Sequence, residues 1–263
     1  MHSGQNATEI PMIEADNLCL SAGGRRLCEA LSLSLSRGEH LVLLGPNGCG
    51  KTTLLLTLAG LRPPEAGRIM MHGKDLRTWS LRELACFRGV LQQEQNNFFS
   101  ATVLESVLMG RHPHLARWAW ESDSDRQQAL AALAQVGLEH MAARDVMTLS
   151  GGERQRMAIA ALLAQCPAIF FLDEMTNHLD LHYQIEILQL FNSQADAGCA
   201  MVTVLHDINL AVRFADKVLL FDGKGHTVHG TTHDVMRPDL LSDAFSLRLR
   251  QFVLDGKTVF MPE

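Results

Sequence analysis

Apolar and polar residues change rhythm several times along this chain. From Leu31 to Ser36 they alternate strictly, Leu-Ser-Leu-Ser-Leu-Ser. A period of two predicts a half-buried strand. Met12 to Leu20 and Arg68 to His72 are further short strand candidates. Three other runs are almost continuously apolar: Leu41-Val42-Leu43-Leu44, Ala168-Ile169-Phe170-Phe171-Leu172 and Met201-Val202-Thr203-Val204-Leu205. Such runs suit strands of a parallel sheet covered on both faces. Leu54 to Ala59 predicts a helix over about 50–59. The Gly- and Pro-rich stretch Gly60 to Gly67 predicts a turn after it.

Between about Leu76 and Met147 the pattern becomes helical. Trp79 to Leu84 begins a short helix with Ser80 as a candidate N-cap. Thr102 to Met109 is another, with Thr102 and Glu105 at capping-box spacing. Ser122 to Val136 is a third, polar and then alanine-rich, stopped by Gly137. Strands and helices then alternate to about residue 222. The tail, Val228 to Glu263, predicts two short helices and a hairpin around Asp255-Gly256. No repeat, low-complexity tract or long linker interrupts the chain. The fold class is α/β, a parallel-sheet core with a helical insertion.

The candidate chemistry sits where these elements meet. Gly45-Pro46-Asn47-Gly48-Cys49-Gly50-Lys51-Thr52-Thr53 lies between an apolar strand and a helix. It has the G-x-x-x-x-G-K-[ST] form of a phosphate-binding loop in the context that motif needs. Backbone N–H groups would curl around phosphate oxygens, with the helix N-terminus adding a favourable field. Lys51 would reach the β- and γ-phosphates, and Thr52 would ligate Mg²⁺. Leu149-Ser150-Gly151-Gly152-Glu153 offers a second anion site: small residues, free N–H groups and one hydroxyl. Taken alone, it reads equally as a plain helix cap. One chain cannot easily bring two such sites to one triphosphate; two chains placed head to tail can. The strand from Ala168 ends in Asp173-Glu174. Asp173 would hold the Mg²⁺ shell, and Glu174 would orient or deprotonate the attacking water. The strand from Met201 ends at His206-Asp207, where His206 would donate to the γ-phosphate.

These motifs, in this order over nearly the whole length, resemble the ATP-binding subunit of an ABC transporter. The resemblance implies a single domain over 1–263. Residues 1–75 and 148–263 would form a RecA-like P-loop NTPase core with an N-terminal antiparallel β portion. Residues 76–147 would form the helical subdomain. It implies ATP and Mg²⁺ as cofactors and a head-to-tail homodimer. A separate transmembrane permease and, through it, a periplasmic substrate-binding protein would be the partners, at the cytoplasmic face of the inner membrane. In the family a glutamine at the start of the helical insert reaches the Mg²⁺ and water; Val90-Leu91-Gln92 ends a predicted strand there, and of the neighbouring Gln92, Gln93 and Gln95, Gln93 aligns best with it. The loop Asn177-His178-Leu179-Asp180 would cross the dimer interface, placing Asp180 near the nucleotide. The stretches Gly110-Arg111-His112-Pro113, Asn177 to Leu181 and Leu205 to Asn209 resemble the importer branch for iron–siderophore, haem and cobalamin.

Three positions depart from the family pattern. Glu153 stands where Gln is usual, and Met175 where Pro usually follows the catalytic carboxylate. The aromatic residue that stacks on adenine is replaced, the matching position being Ala22; no Phe, Tyr or Trp occurs before Trp79. Arg25 and Arg26 are the nearby groups able to lie on a base by cation–π contact. Cys49, at the helix N-terminus, is expected to be a reactive thiol.

Bulk properties narrow the alternatives. A hydrophobic content of 47% over 263 residues supports a sizeable core. A net charge of −6 and a pI near 6.0 argue against a general nucleic-acid binder. No apolar run approaches the roughly 18–20 residues of a membrane span; the stretch from Ala158 to Leu172 is broken by Gln165 and Pro167. The first residues show no charged-then-apolar signal pattern. Six scattered cysteines without C-x-x-C fit a reduced cytoplasm. A soluble ABC ATPase of translation or repair is the alternative, but the chain has no second cassette, coiled-coil insertion or basic face. A regulatory module without turnover would need a lost catalytic group, and Lys51, Asp173, Glu174 and His206 are all present. His178 and His182 are at i, i+4 spacing without the surroundings of a metal site. His226, His229 and His233 read as surface residues. Nothing in the sequence contacts a cargo.

Overall fold

The computed structural model describes residues 10–92, 100–116, 119–176 and 179–263. Its strands are β1 (Ile13–Ala22), β2 (Arg25–Leu35), β3 (His40–Leu44), β4 (Ala66–Met71), β5 (Lys74–Asp75), β6 (Arg88–Leu91), β7 (Ile169–Asp173), β8 (Ala200–Val204), β9 (Lys217–Phe221), β10 (Thr227–Thr231), β11 (Leu249–Leu254) and β12 (Lys257–Pro262). Its helices are α1 (Lys51–Leu58), α2 (Leu81–Phe87), α3 (Val103–Leu108), α4 (Asp123–Gln135), α5 (Gly151–Ala164), α6 (Leu181–Asp196), α7 (Ile208–Phe214), α8 (Thr232–Val235) and α9 (Pro238–Phe245).

The apolar runs are buried at every position of β3, β7 and β8, as expected for strands covered on both faces. The six-stranded sheet runs β10-β9-β3-β8-β7-β6. It is parallel apart from β10, which pairs antiparallel with β9. Successive side chains of one strand enter different cores. Val42, Leu44, Phe170 and Leu172 pack with α3, α4, α5 and α6. Leu41, Leu43, Ile169 and Phe171 pack with α1 and the antiparallel sheet β2-β1-β4-β5. The result is three layers, with the parallel sheet in the middle.

The alternating Leu31 to Leu35 segment buries its leucines and exposes its serines, as predicted. The antiparallel sheet therefore has one wet face. Ala22 pairs with Arg25 across Gly23-Gly24, both in left-handed backbone (φ 60° and 76°). That two-residue Gly-Gly turn, with φ positive at both positions, suits the twist of a hairpin.

The helical segments are stopped and started by the predicted residues. Ser80, Thr102, Ser122 and Ser150 each form a capping box with the acidic residue three positions on. Each box satisfies two backbone donors that a helix start leaves unpaired. Arg111 ties the insertion together, donating to Asp125 Oδ1 at 2.9 Å and to the Ala164 carbonyl at 2.8 Å. That pairing, with the Ser122 bonds as the larger cause, holds the Asp125 carboxyl down at about 2. Strand β6 lies inside the 76–147 stretch, yet pairs with β7 as the edge of the core sheet. The tail forms α8, α9 and the β11–β12 hairpin around Asp255-Gly256, as predicted, after β10 has extended the main sheet.

Candidate nucleotide site

Strands β3, β8 and β7 are neighbours and parallel, so their C-terminal ends open on one edge of the sheet. In open α/β sheets ligands bind at that edge. There three of the four predicted motifs meet. A cleft of about 570 Å³ is lined by Asn47, Gly48, Gly50, Lys51, Thr52, Thr53, Glu174 and His206, with Ala22, Arg25 and Leu27 from the β1–β2 hairpin.

The loop conformation depends on Gly50. It caps α1 with φ 114°, and a Cβ there would fall 2.9 Å from the Leu27 side chain. Any other residue would be strained by the backbone and crowded by the hairpin. Lys51 is buried, and its Nζ donates to the carbonyls of Gly45 and Pro46 at 2.8 and 3.0 Å. The ammonium is thereby anchored over the loop, with its third donor left for a ligand oxygen.

Thr52 Oγ1 donates to Asp173 Oδ1 at 3.2 Å, linking α1 to the end of β7. Asp173 is 2% exposed, and burial raises its carboxyl above the ordinary range; Glu174 adds to the rise, while Thr52, Lys51 and His206 oppose it. A buried carboxylate beside a hydroxyl is a hard-oxygen pair that suits Mg²⁺, which takes one or two protein oxygens and completes its shell with phosphates and water. Among the described residues no group of three His, Cys, Asp or Glu is placed to hold a metal by itself. Glu174 follows with φ 50°. A left-handed non-glycine residue costs about 1–2 kcal/mol. Its carboxylate meets His206 Nε2 at 2.5 Å. Next to it Met175 is fully buried, and its carbonyl accepts from Gln155 Nε2 at 3.0 Å. The turn that proline usually stiffens is here packed into the core and tied to α5.

Ser150, Gly151 and Gly152 do not line this cleft. Ser150 and Gly151 are exposed at the start of α5. Ser150 N donates to Glu153 at 2.7 Å, so Glu153 closes the capping box. Asp180 is likewise exposed and outside the cleft, capping α6 by accepting from Tyr183 N at 3.0 Å. Gln93 and His178 lie outside the described residues. His182 pairs with Glu186 at 3.2 Å.

One expectation is corrected. The Cys49 thiol is not poised for reaction: it is 3% exposed, and burial pushes its pKa up against the pull of Lys51. Desolvation of the thiolate outweighs the helix terminus, so Cys49 offers the loop its backbone and a small side chain. Gly45 and Pro46 also stay behind the cleft lining. The β1–β2 hairpin brings Ala22 and Arg25 to the site, and among the described residues the cleft lining holds no Phe, Tyr or Trp. Leu27, which sequence reasoning missed, lies two positions beyond Arg25 on β2; the strand period was the available signal.

The family profile described as ABC transporter matches residues 28–177. This chain belongs to the ABC transporter family. A hemin import ATP-binding protein, HmuV, of Gloeobacter violaceus is 43% identical over 90% of the chain and 88% of its own length. An iron(3+)-hydroxamate import ATP-binding protein, FhuC, of Bacillus subtilis is 36% identical over 94% of the chain and 91% of its own length. Among solved structures, a metal-chelate type ABC transporter in an inward-facing conformation superposes with TM-score 0.83 at 30% identity, covering 96% of this chain and 98% of that one. A dimeric ATP-binding cassette bound to ADP and phosphate after hydrolysis superposes with TM-score 0.72 at 28% identity, covering 84% and 99%. The ABC subunit is accordingly an ATPase with a RecA-like P-loop core. No helix among its described residues is long and apolar enough to cross a membrane. The reading as a translation or repair ATPase finds no support in these relatives.

Proposed function

We propose that this ABC ATPase powers import of a metal chelate of the hemin or ferric-hydroxamate type through a separate permease. The observation that carries this reading is the sorting of the two anion motifs. Lys51, Thr52, Glu174 and His206 converge in one cleft, while Ser150 and Gly151 stand exposed away from it. Head-to-tail pairing gives each exposed Ser-Gly-Gly a nucleotide on the partner to close. The names of the relatives supply the cargo class and the importer setting.

The chain's own groups divide the work. Lys51 and the loop N–H groups bind and orient the triphosphate. Thr52 and Asp173, with Gln93, would hold Mg²⁺, which when bound neutralises phosphate charge. Glu174 takes a proton from the attacking water, and His206, expected from the sequence to donate to the γ-phosphate, is engaged through Nε2 with Glu174 and keeps the carboxylate aimed. Asp180 and Ser150 belong to the dimer seam. Residues 76–147 pass the motion of the closing dimer to the permease at the cytoplasmic face of the membrane. A periplasmic binding protein delivers cargo from the other side. The test is reconstitution with the permease from the neighbouring reading frames. ATP-driven uptake of hemin or a ferric hydroxamate is expected. ATPase stimulation by ribosomes or damaged DNA, without uptake, would overturn the reading.

A further inference from the structure

Two residues past the His206-Asp207 pair, Asn209 reaches across to the far end of the chain. Its Nδ2 donates to the Phe260 carbonyl at 3.1 Å, and its Oδ1 accepts from Phe260 N at 2.8 Å. The amide thus pairs with the edge of β12 as a neighbouring strand would. Neither partner is loosely held. Phe260 is 3% exposed, with its side chain in the helical-side core. At the hairpin's root Leu249 is also buried, and its N–H donates to Ser242 Oγ on α9 at 3.0 Å. On the other side, Asp207 caps α7 by accepting from Asn209 N at 2.7 Å and Leu210 N at 3.1 Å. Asn209 is therefore fixed to the loop bearing His206 through its backbone and to the hairpin through its side chain. His206 itself is a largely exposed side chain at a strand end; its bond to Glu174 needs the loop held still.

We propose that Asn209 is a positioning residue for ATP hydrolysis: by clasping β12 it fixes α7, and with it the pose of His206 against Glu174. The hairpin is then part of the catalytic frame rather than an appendage. Its tip carries exposed Phe252, Val253 and Leu254, so displacement of the hairpin would be felt at His206 through this clasp. The inference rests on the reading of His206 as a group of the hydrolytic site, and the test separates the two.

The experiment is a double-mutant cycle on the full chain with Asn209→Leu and His206→Ala, measuring kcat, KM for ATP and nucleotide binding. Asn209→Leu removes both bonds while keeping the branched shape of the side chain. It is expected to lower kcat about tenfold, a loss of about 1.4 kcal/mol, with ATP affinity within about twofold of the parent. In the His206→Ala background the same substitution is expected to change kcat by less than about twofold, since there is no imidazole left to position. Losses that multiply in the double variant would mean that Asn209 acts only through general stability, and would overturn the proposal. So would an unchanged kcat in folded Asn209→Leu. If His206→Ala alone turns over at the parental rate, the reading of His206 fails, and the positioning role with it. Should Asn209→Leu not fold, Asn209→Asp takes its place in the cycle. It keeps the acceptor for Phe260 N–H, loses the donor, and is expected to give an intermediate loss with the same dependence on His206.

Discussion

Glu174 Oε1 and His206 Nε2 lie 2.5 Å apart, joined across the ends of the adjacent strands β7 and β8. Each side chain lies just beyond its strand, where the backbone leaves the sheet. Glu174 does so in a left-handed conformation, which turns its carboxylate toward the cleft instead of continuing the strand. The pair sets the carboxylate beside the loop that takes the triphosphate.

Replacing Glu174 by Gln should keep ATP binding and reduce hydrolysis at least about 100-fold, because an amide cannot accept the proton from water. With hydrolysis blocked, the ATP-closed dimer should accumulate, visible as a shift to dimer in gel filtration with Mg-ATP. Near-parental turnover would remove Glu174 from its role.

Head-to-tail closure makes a prediction about mixed dimers. Ser150 is exposed at the start of α5, outside the chain's own cleft. A bulky residue there should abolish ATP-dependent dimerisation while leaving monomer ATP binding within about twofold. Mixing a Ser150 variant with a Lys51 variant should give dimers with one doubly damaged site and one site with both motifs intact, and partial ATPase recovery. Undisturbed dimerisation by the bulky variant would refute the arrangement.

The thiols should react in order of exposure, not of proximity to the helix terminus. Cys49 and Cys28 are buried, with burial raising both thiol pKa values, to about 11 for Cys28, while Cys166 is exposed. Maleimide should label Cys166 first, by peptide mass mapping, with the ATPase intact. Early labelling of Cys49 with loss of activity would show that the loop opens far more than its packing implies.

The hairpin tip at the cleft lacks a ring, so base stacking by that route is absent. Stacking on a base is worth roughly 1–3 kcal/mol. Discrimination among ATP, GTP and CTP should be weak, with Arg25 as the side chain at the tip able to cover a base. Ala22→Tyr should tighten ATP binding about fivefold or more without changing kcat. Competition binding with the three triphosphates decides it. A strong ATP preference that survives changes at Arg25 and Arg26 would place base recognition elsewhere.

Acid should weaken the fold through His40. This histidine is 1% exposed at the start of β3, between the Phe214 carbonyl (2.9 Å) and Thr203 Oγ1 (2.8 Å). Burial lowers its pKa from 6.5 to about 4, against the pull of the Phe214 carbonyl and Asp216. The unfolded chain takes up the proton first, so the stabilisation is complete above pH 6.5 and is lost as the pH falls toward 4. Over that window it amounts to about 3 kcal/mol. Urea unfolding at pH 6.5 and pH 5 should show about 2 kcal/mol more loss for the parent than for His40→Gln. Equal losses would mean that His40 is not the group responsible.

Short-range chemistry wrote much of this protein into the order of its residues. The alternation of Leu31 to Leu35, the continuous apolar strands, the Thr102–Glu105 capping box and the glycine loop each depend on residues a few positions apart, and all were legible there. So were the family and Lys51, Thr52, Glu174 and His206 in the cleft, because their spacing to strand ends carries the signal, while Leu27 was not. Tertiary structure decided what depends on partners far apart in the chain. Cys49 sits at a helix N-terminus that would favour its thiolate, yet the walls around it deny the thiolate water. Val90-Leu91-Gln92 read as the end of a strand, but its place as the edge of the core sheet was set by β7, far along the chain. Asn209 carried no periodic signal, since a single amide on a short helix is ordinary until Phe260 is brought beside it. Burial and long-range pairing are properties of the folded packing, and no local window of residues contains them.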